Sequence, residues 1–175
     1  MTDIIPLVSA AYSDRLSRRT ESAIPEVWNL LDEVKDPEIP ALSIWDLGVL
    51  NGVEQQDDEI FISITPTYSG CPAMGTISDD IGRVLSQSGY SRFSIKLLLA
   101  PAWTTDWMSP EGRIKLREYG IAPPENCQQG ACQKIACPHC GSTNTETISE
   151  FGSTACKALH RCQDCDEPFD YFKSI

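Results

Sequence analysis

Two cysteine pairs near the end of the chain carry the clearest chemistry. Cys137-Pro138-His139-Cys140 and Cys162-Gln163-Asp164-Cys165 are C-x-x-C motifs separated by 21 residues. Two thiolates three positions apart in a tight turn share one tetrahedral ion at about 2.3 Å, and a second such turn completes a four-sulfur shell. Between them, Thr147-Ile148-Ser149 and Phe151, the turn Gly152-Ser153 and the run Thr154 to Arg161 suit a β-hairpin. The spacing predicts a zinc ribbon in which Cys137, Cys140, Cys162 and Cys165 hold Zn2+ and supply folding energy rather than catalysis. Iron suits the same cage. CPHC alone is also a dithiol oxidoreductase motif, but that chemistry needs the motif to open a helix after a strand, and here a second C-x-x-C follows. Cys156, His139 and His160 are spare soft ligands whose plainer reading is a packed thiol and two surface imidazoles. Cys127 and Cys132 precede the first pair at a spacing that fits no closed site.

Before Cys127 the chain has a single cysteine, Cys71, in the stretch Thr65-Pro66-Thr67-Tyr68-Ser69-Gly70-Cys71-Pro72. The spacing puts it at the N-cap of a helix with Pro72 in the first turn, where backbone N–H groups and the helix dipole favour an anionic sulfur. A buried thiol chosen for packing is the plain alternative. No histidine precedes His139, so a thiol nucleophile activated by a neighbouring base is disfavoured. The remaining chemistry is transient ligation of iron or of an iron-sulfur cluster. One sulfur cannot fill a cluster's four thiolate positions, so such ligation needs a homodimer, a client's ligands or a small thiol.

The elements that position these residues follow from periodicity. Val27, Leu30, Leu31 and Val34 give an amphipathic helix that ends at Asp36-Pro37-Glu38-Ile39-Pro40. A strand near 49–54, the turn Gln56-Asp57-Asp58 and alternating Ile60, Ile62 and Ile64 read as a hairpin. Met74, Ile77, Ile81, Val84 and Leu85 keep helical spacing up to Gly89, and Phe93, Ile95, Leu97 and Leu99 give a third strand, parallel to the second. Ser109-Pro110-Glu111 opens another helix. Arg15, Arg18 and Arg19 read as the solvated face of an N-terminal helix. The predicted fold is α+β: a small mixed three-stranded sheet with helices, plus a C-terminal β zinc ribbon. The expected division is an N-terminal extension over 1–23, an α/β domain over 24–121, a linker over 122–135 and the ribbon over 136–175.

The net charge of −11, with no segregated basic patch, argues against nucleic acid and anionic membranes as partners. The start, MTDIIPLVSAAYSD, lacks the basic and apolar regions of a signal peptide, and no apolar run is long enough to span a bilayer. A cytoplasmic protein is expected, in which cysteines serve as metal ligands rather than disulfides.

Asp36 to Pro40, Asp46-Leu47-Gly48-Val49, Thr65 to Pro72 and Pro101-Ala102-Trp103-Thr104-Thr105-Asp106-Trp107-Met108 resemble, in order, the iron-sulfur cluster assembly domain family. With the ribbon, GSTACKALHRC and EPFDYFK, the likeness extends to accessory proteins of phenylacetate degradation. The resemblance implies a non-catalytic maturation factor of a phenylacetyl-CoA epoxidase. Such a factor assists iron-sulfur or di-iron centre assembly in the oxygenase or reductase subunit through Cys71, with Asp36, Glu38, Asp46 and Thr67 nearby. A structural subunit of the oxygenase complex is the alternative. Acids placed after a helix, as Asp36, Glu38 and Asp46 are, more often serve as turn formers and caps, and Trp103 and Trp107 read as either a partner-docking surface or core.

Overall fold

A computed structural model describes residues 8–124 and 134–175. The chain forms two compact units, residues 1–112 and 113–175. Cys127 and Cys132 lie outside the described residues.

In the first unit, helix α1 (Ala10–Thr20) starts where the Ser9 hydroxyl accepts the Tyr12 N–H at 3.1 Å. Helix α2 (Pro25–Leu31) has proline in its first turn and buries Val27, Trp28 and Leu31. Strands β1 (Leu50–Gln56) and β2 (Glu59–Ile64) form the expected antiparallel hairpin, with Asp57 at φ 53° in its turn. On β2 the period of two is clean: Ile60, Ile62 and Ile64 are buried, and Phe61 and Ser63 are half-buried. Helix α3 (Ala73–Gln87) buries Ala73, Met74, Ile77, Ile81 and Leu85, then stops at Gly89, whose φ of +91° is costly for any residue with a Cβ. Strand β3 (Phe93–Leu97) returns parallel to β2, so the sheet order is β1-β2-β3 and the fold class is the α+β one expected. Among the described residues, no helix is long and apolar enough to cross a membrane.

Arg15 departs from the solvated face predicted for it. The side chain is 1% exposed, and its guanidinium donates to the carbonyls of Trp45 at 3.2 Å, Leu50 at 2.9 Å and Trp107. It also lies over the Trp45 ring, 4.2 Å from the centroid, and Arg19 lies 4.7 Å from the same centroid. Burial, with the neighbouring Arg18, lowers the Arg15 guanidinium to about 9, so it remains cationic at neutral pH. Helical spacing put three arginines on one helix but did not reveal that three carbonyls of other segments converge on one of them. The segment read as an N-terminal extension thus carries a helix that holds this unit together.

The second unit takes in most of helix α4 (Pro110–Glu118) and a four-stranded sheet of order β4-β7-β6-β5, formed by β4 (Ile121–Ala122), β5 (Thr145–Ser149), β6 (Lys157–Cys162) and β7 (Pro168–Phe172). The hairpin expected between the cysteine pairs is β5–β6, antiparallel with a bulge between Thr147 and Ser149. Ala122, the first residue of the predicted linker, is a strand residue paired with Tyr171. A two-residue strand carries too little periodicity to be seen in sequence.

Candidate functional site

The two C-x-x-C turns are built alike. The N–H of Cys137 donates to Ser142 C=O at 2.8 Å, and that of Cys162 donates to Glu167 C=O at 3.0 Å. Each second cysteine is followed by a residue of positive φ, Gly141 at 78° and Asp166 at 62°. Glycine takes that conformation without strain, and aspartate is among the few other residues that tolerate it. Asp164 ties the turns together, accepting from the Ser142 hydroxyl and from Asn144 Nδ2 at 2.8 Å. Those two bonds hold its carboxyl below the usual carboxylate range.

All four sulfurs lie within 4.8 Å of one another, with Cys137 Sγ 3.8 Å from Cys165 Sγ and Cys140 Sγ 3.5 Å from Cys162 Sγ. A regular tetrahedron with Zn–S bonds of about 2.3 Å has its sulfurs about 3.8 Å apart, so the residues fit the ion without rearrangement. The cage also needs a cation. For Cys162, burial opposes ionisation, but the N–H groups of Cys165 and Asp164 outweigh it and bring the thiol down to about 7. For Cys165, the Glu167 N–H favours the thiolate, yet burial and the crowding sulfurs of Cys162, Cys140 and Cys137 push it up to about 12. Four thiols this close cannot all ionise unless a positive charge sits among them. A divalent ion held by Cys137, Cys140, Cys162 and Cys165 would supply that charge and cross-link the two turns. With four sulfurs the shell is full and no coordination position is left for a substrate, as in structural rather than catalytic sites.

The spare ligands of this unit stay out of the cage. Cys156 is buried with its sulfur 3.0 Å from the Thr154 hydroxyl, and His139 is exposed. His160, expected at the surface, is 5% exposed and stacks on Phe169, ring centroids 5.8 Å apart. Burial lowers its basicity, so the ring is neutral and packs as an aromatic. It lies on the inward side of β6, a consequence of register that the bare sequence does not give.

In the first unit, Cys71 is half-buried in the turn between β2 and α3. Its N–H donates to Tyr68 C=O at 3.1 Å, and Ser69, Gly70 and Pro72 around it are exposed. The cap position is Pro72, with helical φ of −71° and no side-chain cap. The sulfur therefore sits one residue further from the helix than predicted, because proline supplies helical dihedrals before the first hydrogen-bonded turn.

The acids named with Cys71 have structural partners. Asp36 is buried, and its Oδ1 accepts the N–H groups of Glu38 at 2.9 Å and Ile39 at 2.8 Å. Glu38 itself is half-buried. Asp46 is 4% exposed, and its Oδ1 accepts the Ser109 hydroxyl at 2.7 Å. Ser109 Oγ in turn accepts the Gly112 N–H at 2.8 Å and so caps α4. Thr67 is buried at 8% exposure. Of the two readings of Trp103 and Trp107, their burial, at 3% and 8% exposure, is that of core residues. Trp103 Nε1 donates to Leu47 C=O at 3.1 Å, and a Cβ added at Gly48, where φ is +84°, would stand 2.8 Å from Trp107 Cβ. Aromatic residues in a proline-flanked loop suit either an exposed anchor or a core role in sequence; here they pack against the Leu47-Gly48 turn. Sequence reasoning missed Asn51, a buried amide on β1, because nothing local marks a lone asparagine on a strand.

Comparison with known proteins agrees with this division. Residues 25–89 match the family described as iron-sulfur cluster assembly protein, and residues 122–173 match the PaaD zinc beta ribbon domain. Over 163 residues, covering 92% of this chain and 99% of the relative, the sequence is 48% identical to a protein of Escherichia coli (strain K12) named as a component of 1,2-phenylacetyl-CoA epoxidase. The chain belongs to the PaaD family. The assembly domain is shared more widely than the whole PaaD architecture. A protein of Porphyromonas gingivalis named as an Fe-S protein maturation auxiliary factor is 33% identical over 93 residues, 52% of this chain and 88% of its own. The crystal structure of a domain of unknown function, DUF59, from Bacillus anthracis superposes with a TM-score of 0.50 at 27% identity, covering 58% of this chain and 95% of that one. PaaD-type architecture is thus an assembly domain of known fold with a metal-binding ribbon attached.

Proposed function

We propose that this PaaD-family protein is an accessory maturation factor of a cytoplasmic phenylacetyl-CoA epoxidase, in which Cys71 takes iron or an iron-sulfur cluster in transit to the oxygenase or reductase subunit. The observation that carries the reading is the setting of Cys71: the one cysteine of the assembly domain lies half-buried in a turn whose neighbours Ser69, Gly70 and Pro72 are exposed. One protein sulfur in an accessible turn gives weak, incomplete ligation, which suits transfer better than storage. The buried acids Asp36 and Asp46 shape the loops and stay out of the coordination shell. The ribbon, with its shell filled by four sulfurs, holds zinc as a structural ion. The names of the relatives, one a component of the epoxidase and one a maturation auxiliary factor, support the same reading.

The test is activation of iron-depleted oxygenase and reductase subunits by ferrous iron and sulfide, with and without this protein. Wild-type protein is expected to accelerate recovery of epoxidase activity in one of the two subunits, and Cys71→Ala to remove that acceleration. If Cys71→Ala accelerates recovery as well as wild type, the transit role of Cys71 is wrong; if neither protein accelerates recovery while both remain in stoichiometric complex with the oxygenase, the protein acts as a structural subunit instead.

A further inference from the structure

Asn51, the second residue of β1, is 7% exposed and uses both ends of its amide. Its Oδ1 accepts Arg18 Nη1 at 3.0 Å, and its Nδ2 donates to Thr65 Oγ1 at 3.1 Å. A guanidinium only donates, so the amide carbonyl must face Arg18, and the NH2 is left for the hydroxyl. Thr65 is 1% exposed and is the first residue after β2. Its own N–H donates to Val49 C=O at 2.8 Å. Pro66 and Thr67 follow, both buried, before the chain emerges at Ser69 and Gly70 and turns into Cys71.

We infer that Asn51 is a positioning residue for Cys71, held in place by Arg18: the relay Arg18–Asn51–Thr65 fixes where the segment from Thr65 to Cys71 leaves the sheet, and so how far the sulfur stands into solvent. Thr65 is anchored twice, through its backbone to Val49 and through its side chain to Asn51. Losing the amide strands a buried hydroxyl and lets the segment shift toward water to satisfy it. Arg18 lies on α1, outside the residues 25–89 that match the assembly family. This inference rests on the reading of Cys71 as the transit sulfur, but it concerns only the seating of that sulfur.

The test is the rate at which iodoacetamide alkylates Cys71 in the full-length, zinc-loaded protein, followed by peptide mass spectrometry so that Cys71 is read separately from the other cysteines. Asn51→Ala and Thr65→Val are expected to raise the rate about fivefold, the size of one net hydrogen bond. Thr65→Ser, which keeps the hydroxyl, returns it to near the wild-type value. Arg18 lies at the surface, so Arg18→Ala leaves the fold intact; it raises the rate in the same direction, and Arg18→Lys brings the rate part of the way back to wild type. A merely structural role would lower the unfolding midpoint and leave Cys71 alkylation of the folded protein unchanged. Wild-type rates in Asn51→Ala and Arg18→Ala overturn the inference, and if Asn51→Ala does not fold, Arg18→Ala decides alone. Faster alkylation combined with normal iron uptake by Cys71→Ala would uphold the relay and refute the transit role.

Discussion

The Asp46 carboxylate accepts the Ser109 hydroxyl at 2.7 Å, and that same hydroxyl oxygen accepts the N–H of Gly112 at 2.8 Å. One acid thereby fixes the start of a helix 63 residues away in sequence. Asp46→Ala is expected to destabilise the protein by about 2–3 kcal/mol, because a buried hydroxyl and the Ser43 N–H lose a charged acceptor. Urea denaturation measures the loss. Zinc content and iron uptake should be unchanged, which separates this structural acid from a ligand.

Trp103 donates its indole N–H to Leu47 C=O at 3.1 Å from a buried position. Trp103→Phe keeps most of the packing and removes that bond, so a loss of about 1 kcal/mol in unfolding free energy is expected. Affinity for the epoxidase subunits, measured by titration calorimetry, should not change. A large loss of affinity without loss of stability would return Trp103 to the role of docking residue.

Arg15 joins three carbonyls from segments distant in sequence and stacks on Trp45. Arg15→Ala leaves those carbonyls buried without a donor and opens a cavity, for an expected cost of about 3–5 kcal/mol. Arg15→Lys should recover only part of it, since a single ammonium cannot span three acceptors. Thermal unfolding of the two variants beside wild type checks the order.

What was legible in the sequence, and what was not, divides along the range of the interaction. The ribbon cage could be read because its ligands are paired locally, three residues apart, and the chemistry of four sulfurs fixes the rest. The hairpin, α3 and β3 could be read because their apolar periods are strong. Arg15, Asn51 and the burial of Trp103 could not, since each depends on partners brought together by the fold: carbonyls of Trp45, Leu50 and Trp107, the hydroxyl of Thr65, the carbonyl of Leu47. A polar residue that bonds across the fold looks the same in sequence as one that bonds water.

All four tryptophans, Trp28, Trp45, Trp103 and Trp107, lie in the first unit, so their fluorescence follows the folding of that unit. Stripping the ribbon with a strong chelator should abolish its sheet signal in circular dichroism and leave tryptophan fluorescence nearly unchanged. The energy at stake is large, about 10–16 kcal/mol for structural zinc in small modules. Cys162→Ser is expected to lower zinc content to a small fraction of wild type with the same spectroscopic pattern.

Anaerobic reconstitution with ferrous iron and sulfide, read by absorption and by zinc analysis of the same sample, tests the transit role of Cys71 most directly. The expected result is thiolate-to-iron charge-transfer absorption in wild-type protein, its loss in Cys71→Ala, and equal ribbon zinc in both. Equal absorption in the two proteins at equal zinc content would contradict that role and assign the iron to other residues.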